Sequence, residues 1–252
     1  MQTNPTNKTT LIAIAGRFFF RFRNNLFPVM FLLVLVIARP GHIFPLAVLD
    51  RWVVACGAAL VALGETVRLT TIGFDYIDRG GKAGRPAASR LVSGGIYAHS
   101  RNPMYFGNIS IATGFALLTS SLLAYAVVIP LFLYVYLAIT CAEEEFLRKE
   151  FGPEYEAYCA RVPRFFPNLR GLGGTLSQGR YNWKKSFRQE LSTLTWVSMA
   201  LAASPLWRAY FLEGAQAARQ RAPRTLWQEG VLLALYGILA YCKKRKWLFY
   251  PA

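Results

Sequence analysis

The chain has 252 residues, 54% of them hydrophobic and 17% charged, with 29 Lys and Arg against 13 Asp and Glu for a formal charge of +16. Soluble domains carry about 25% charged residues, and here the charges stand in clusters between apolar stretches, which excludes an ordinary soluble core. The basic excess flanks the apolar segments and comes with no nucleic-acid motif, so it is read as setting membrane topology and meeting anionic headgroups, and nucleic acid is excluded as a partner.

In chain order, the first ten residues are polar and give no removable signal, so the first apolar stretch is read as an anchor. Apolar segments run over 26–38, 46–69, 104–119, 122–142, 191–212 and 226–242. The first is short for a span unless Phe18, Phe19 and Phe20 extend it, and the fifth carries Pro205 and Arg208, which suggests a kinked or re-entrant path. The pattern predicts an all-α, polytopic integral membrane protein of about five to six transmembrane helices. Gly171 to Arg180 is the best linker, dividing a core of residues 1–170 from a C-terminal helical hairpin, 171–252. That hairpin opens on an amphipathic basic stretch, Trp183 to Arg188, suited to the membrane interface; it equally suits a substrate wall or an oligomer contact.

Charge asymmetry gives an orientation. Lys8, Arg17, Arg21 and Arg23 precede the first span, six basic residues lie from Arg68 to Arg101, and nine from Arg148 to Arg188. The positive-inside rule makes these regions cytoplasmic, and with six spans both termini are cytoplasmic too. Arg208, Arg219, Arg221 and Arg224 disagree, so the last two segments either form a shallow hairpin or break the rule. Four cysteines show no disulfide framework or metal spacing, and with only His42 and His99 a histidine-rich di-iron site is excluded; no metal is expected.

The most informative stretch is the run between Arg101 and Glu143, which contains no charged residue. Its roughly 41 residues would span ~60 Å as helix, two crossings of a ~30 Å core. With Ser120-Ser121 as the turn, Arg101 and Glu143 return to one face and build a single polar site from two segments. Before the run, Gly80 to Pro86 is basic and flexible but fits neither the GxGxxG nor the P-loop pattern, and Asn102-Pro103 reads as an N-cap and first helical residue. After it come Glu143, Glu144 and Glu145. Carboxylates at the end of a span oppose the helix dipole and are costly near hydrocarbon, so their placement there favours a functional reading.

Tyr97, Arg101-Asn102-Pro103-Met104-Tyr105-Phe106-Gly107, the glutamate triplet with Phe146-Leu147, Phe151-Gly152-Pro153-Glu154-Tyr155-Glu156-Ala157-Tyr158 and Val162-Pro163-Arg164-Phe165-Phe166-Pro167 follow one another in order. Together, over residues 80–168, they resemble the isoprenylcysteine carboxyl methyltransferase and phospholipid methyltransferase superfamily of integral membrane enzymes. The resemblance implies S-adenosyl-L-methionine as cofactor, held at a cytoplasmic-side pocket by Ser89, Arg90, Leu91, Val92, Tyr97, Asn102, Pro103, Met104, Tyr105 and Glu143. Glu144 would complete an acidic pair, and Arg101 would meet the cofactor's carboxylate; Glu143, Glu144 and Arg101 are the candidate catalytic residues. It also implies a lipophilic small-molecule or lipid substrate drawn from the membrane.

Two departures from the family pattern bear on the acceptor. Asn102 stands where the family usually has His, which removes a titrating base. Ile139 stands four residues before Glu143, where the carboxyl methyltransferases carry an Arg for the substrate carboxylate. A neutral or cationic acceptor, a lipid amine or a thiol, thereby gains over an isoprenylcysteine-like carboxylate. Two other readings stay open: a membrane reductase of the sterol-reductase type, whose NADPH phosphates would suit Lys82, Arg85 and Arg90, and a non-catalytic membrane scaffold. The glutamate triplet favours a cationic cofactor over an anionic one.

Overall fold

The structure, a computed structural model, describes residues 11–74 and 90–247. The Gly80 to Pro86 loop and Ser89 lie outside the described residues. Seven α-helices follow in order: α1 Leu11–Ile37, α2 Ala47–Phe74, α3 Pro103–Leu118, α4 Leu122–Arg161, α5 Leu172–Gln178, α6 Trp183–Leu212 and α7 Ala215–Lys244. A single 3-10 turn, Gly95–Ala98, precedes α3, and no strand occurs among the described residues. The all-α class read from the sequence is the one observed, and among the described residues three helices, α2, α4 and α7, are long and apolar enough to cross a bilayer, where the sequence reading expected about five to six.

The uncharged run does fold as a hairpin, with its turn at Thr119 and Ser120. Ser121 caps α4, its hydroxyl accepting from the Ala124 amide, and Ser120 takes a positive φ of 46° to reverse the chain. The halves are unequal. The 16 residues of α3 rise only about 24 Å, because Pro103 starts the helix and the turn stops it. The 40-residue α4 continues well past the apolar stretch, carrying the glutamates and the segment beyond them.

Small residues set the spacing of the bundle. A Cβ on Gly64 would lie 2.5 Å from the Gly107 carbonyl oxygen, and one on Gly57 would lie 2.8 Å from that of Gly114. These two pairs, seven residues apart on each helix, fix α2 and α3 as close antiparallel neighbours, the arrangement small residues allow where lipid gives no hydrophobic drive to association. Gly16 likewise lets α1 lie on the α4 backbone at Ala138. Phe18 to Phe20 belong to α1, so the first apolar segment is the latter part of a longer helix, with Phe20 buried among Phe132, Val135, Tyr136 and Ile139.

The stretch read as a linker is structured. It contains α5, and Gly179 packs against the Phe74 ring. Beyond it, α6 runs the height of the bundle. At one end the Ser186 hydroxyl donates to the Leu69 carbonyl at 2.8 Å, and at the other Arg208 Nη1 donates to the Leu118 carbonyl at 2.6 Å. Those contacts are about 22 residues apart, or ~33 Å of helix, a full hydrocarbon thickness. Pro205 is accommodated within a continuous α6.

Candidate functional site

Two loop segments zip together beneath the α3 and α4 ends. The Arg101 amide donates to the Pro163 carbonyl at 2.9 Å and the Asn168 amide to the His99 carbonyl at 2.8 Å. The buried Ser100 hydroxyl donates to the Phe165 carbonyl at 2.9 Å, and the Asn102 side-chain amide to the Arg164 carbonyl at 3.0 Å. His99 closes the far end: Nδ1 lies 2.7 Å from the Asn168 carbonyl and Nε2 2.8 Å from the Thr175 hydroxyl. A carbonyl only accepts, so Nδ1 carries the proton and Nε2 accepts from Thr175. Asn102 sits at the N-cap position, but its side chain makes no cap bond; its Nδ2 donates instead to the Arg164 carbonyl, which turns the side chain toward the returning segment.

A corner in α4 brings these segments within reach. Gly152 has φ +49° and ψ −124°, a backbone state open to glycine and costly for side-chain-bearing residues, and Pro153 starts the next helical turn. The chain folds back so that Arg148 Nε meets Glu156 at 2.8 Å and the Tyr158 hydroxyl donates to the Tyr97 carbonyl at 2.8 Å. Leu91, Leu147 and Phe151 pack on the buried Tyr155, Tyr158 and Val162.

The three glutamates, about 100° apart around the helix, go to three different places. Glu145 is at the surface, bound by Lys149 at 2.7 Å and Arg17 at 3.3 Å. Glu144 is buried and met by three guanidinium groups: Arg164 forks onto both oxygens at 3.0 and 2.9 Å, Arg101 lies at 3.2 Å and Arg148 at 3.6 Å. This hydrogen-bonded pairing with Glu144 raises Arg164 above its ordinary pKa, outweighing partial burial, so the guanidinium stays charged. Glu143 turns instead to α3, where the Tyr105 hydroxyl donates to its Oε1 at 2.9 Å. The sequence reading set Glu143 and Glu144 side by side in one pocket; the structure gives them separate partners.

Arg101 is the hinge between the two halves. Its Nη1 donates to Cys159 Sγ at 2.7 Å and meets Glu144, while its buried Nε has no hydrogen-bond partner among the described residues. A buried donor left open costs free energy unless something accepts from it. Of the other residues expected in the pocket, Pro103 is buried in the first turn of α3, Met104 and Tyr105 are half-buried beside it, and Arg90, Leu91 and Val92 lie on the irregular segment before the 3-10 turn. Ile139 is fully buried in the apolar core.

Sequence reasoning passed over Arg164, Arg148, Cys159 and Tyr136. The signal for the arginines was present: a carboxylate buried at a span end requires cations, and Arg164 stands between prolines in the Val162 to Pro167 motif. Nothing local marks Tyr136, which looks like one more aromatic in an apolar helix until its ring is found 5.3 Å from that of Tyr105.

Residues 52–154 match the phospholipid methyltransferase family. The chain is 33% identical over 109 residues to the cobalt-zinc-cadmium resistance protein CzcN of Cupriavidus metallidurans, covering 42% of this chain and 48% of the relative. It is 32% identical over 125 residues to the nickel-cobalt-cadmium resistance protein NccN of Alcaligenes xylosoxydans xylosoxydans, 48% of this chain and 54% of that one. Protein-S-isoprenylcysteine O-methyltransferase B of Arabidopsis thaliana is 30% identical over 124 residues, 46% of this chain and 60% of the relative. The chain thus spans about half the length of the curated relatives it matches, and no solved structure matches it. The residues that build the zipped segments, the Gly152 corner and the Glu144 cluster lie in or beside the matched region, so the part of the chain that carries the site is the part similar to the phospholipid methyltransferase family and to an isoprenylcysteine methyltransferase.

Proposed function

We propose that the protein is an S-adenosylmethionine-dependent methyltransferase that methylates a lipophilic acceptor reaching the site from the bilayer, with the pocket and both termini on the cytoplasmic side. The observation that carries this reading is the pairing of opposite vacancies at one helix end. Arg101 Nε is a buried donor with no partner among the described residues, and Glu143, held by Tyr105 through one oxygen, leaves the other to accept.

Those residues fit the cofactor. S-adenosylmethionine carries a carboxylate, an ammonium and a sulfonium: Arg101 suits the first, Glu143 and the faces of Tyr105 and Tyr97 the other two. When bound, the cofactor supplies a methyl group on a positively charged sulfur. Glu144, saturated by guanidinium groups, orients Arg101 and is not the base in this arrangement. An amine or thiol acceptor must lose a proton to react, and in this reading Glu143, whose carboxylate is not tied to a guanidinium group, takes it. The apolar hairpin of α3 and α4 excludes water, and Ile139, buried where a substrate-binding Arg would stand, offers no cation to a carboxylate from that position.

Titration of the purified protein with S-adenosylmethionine and with NADPH tests the reading. Saturable binding of S-adenosylmethionine, lost in Glu143→Gln, is the expected result. Binding of NADPH alone would replace it with the reductase, and binding of neither would leave a scaffold. Comparing lipid extracts from cells with and without the gene by mass spectrometry, for a product heavier by one methylene, then identifies the acceptor.

A further inference from the structure

Inside the bundle, away from the Glu144 cluster, Arg68 of α2 is buried at the junction of three helices. Its Nε donates to Glu190 Oε2 of α6 at 3.1 Å and its Nη2 donates to the same oxygen, while its Nη1 donates to Asn108 Oδ1 of α3. Glu190 is completely buried. A second carboxylate, Glu65, lies one helical turn before Arg68, buried, with neither oxygen hydrogen-bonded among the described residues. One guanidinium is therefore contested by two carboxylates, and Glu190 holds it.

The chain of contact continues. Asn108 also neighbours Tyr136 of α4; with its Oδ1 on Arg68, its amide is the group left to face the Tyr136 hydroxyl. The Tyr136 ring packs on that of Tyr105 at 5.3 Å, and the Tyr105 hydroxyl donates to Glu143. Glu190 lies outside residues 52–154, the region matched to the family, yet this path ends on the proposed cofactor pocket. We propose that Glu190 is a positioning residue for that pocket: by keeping Arg68 on Asn108 it fixes Asn108 one turn along α3 from Tyr105 and beside Tyr136, and through the contact of the two tyrosine rings it holds the Tyr105–Glu143 pair. Without the Glu190 charge, Arg68 is drawn to Glu65 on its own helix face and leaves Asn108, and the Asn108 side chain is no longer held against Tyr136. This gives the C-terminal hairpin a role in the site, and it rests on the reading of that pocket as an S-adenosylmethionine site.

The test is calorimetric titration of S-adenosylmethionine into the full-length protein in detergent, reading both Kd and the number of sites per molecule. Glu190→Gln and Asn108→Ala are each expected to raise Kd about three- to tenfold with the site number unchanged, and the double variant to bind no more weakly than the weaker single. Glu65→Gln, which removes the competitor and not the link, leaves Kd within about twofold. Wild-type protein that binds no S-adenosylmethionine overturns the methyltransferase reading and this inference together. Wild-type binding with an unchanged Kd in Glu190→Gln overturns the inference alone. So does a fall in site number at constant Kd, the mark of lost folded protein, and so do additive effects in the double variant. If Glu190→Gln does not fold, Asn108→Ala carries the test by itself, an unchanged Kd again being fatal to the proposal.

Discussion

Two buried arginine–carboxylate clusters serve this molecule with opposite stoichiometry. At the end of α4, one carboxylate, Glu144, is shared by Arg101, Arg148 and Arg164. Within the bundle, one guanidinium, Arg68, is paired with Glu190 and feels the charge of Glu65 one turn before it on α2. The first cluster has donors to spare, and one of them, Arg101 Nε, is buried without a partner among the described residues; the second has acceptors to spare, both on Glu65. An excess of donors suits a place that receives an anionic group, and a contested cation suits a place that must hold one arrangement among helices. Burial costs both clusters desolvation, which only good geometry offsets.

The sharpest way to break the comparison is to remove the centre of the first cluster. Glu144→Ala leaves three guanidinium groups without their shared partner and should cost about 3–5 kcal/mol, read as a large fall in thermal unfolding temperature; a loss under about 1 kcal/mol would mean that the arginines are solvated and the cluster is not a unit. Next comes Arg164→Lys, which keeps the charge and loses the two-pronged fork. It should cost about 1–2 kcal/mol by the same assay, and indifference would show that charge alone suffices. Tyr105→Phe removes the one hydrogen bond to Glu143 and should weaken S-adenosylmethionine binding about three- to tenfold with little change in stability; equal affinity by titration would detach Glu143 from the pocket. The smallest effect belongs to the second cluster. Glu65→Gln loses no hydrogen bond seen in the structure and should stay within about 0.5 kcal/mol of wild type or be stabilising, so a strong destabilisation would reveal a partner for Glu65 and undo the contrast.

Much of the frame was legible in the residues. An uncharged run of the right length forced a hairpin, its serines marked the turn, and the bracketing motifs placed Arg101 near the glutamates. What stayed hidden was pairing at long sequence distance. Glu143, Glu144 and Glu145 are indistinguishable as letters, and only the helix phase relative to α3, the corner and α1 sends them to Tyr105, the arginines and the surface. The Arg68–Glu190 pair stayed hidden because its members stand 122 residues apart, Glu190 in a helix whose packing no local pattern reveals. Asn102 was read correctly as the N-cap position and wrongly as a side-chain cap, since its amide finds a tertiary carbonyl instead.

The corner at Gly152 also turns distance along the chain into an angular constraint. Glu144 and Gly152 sit on one continuous helix, so adding or deleting a residue between them would rotate the returning segment by about 100° and carry Tyr158 and Arg164 away from Tyr97 and Glu144 together. The spacing of these motifs thus behaves like the timing between two gears: a substitution wears one tooth, while a single-residue indel in 145–151 disengages the pair.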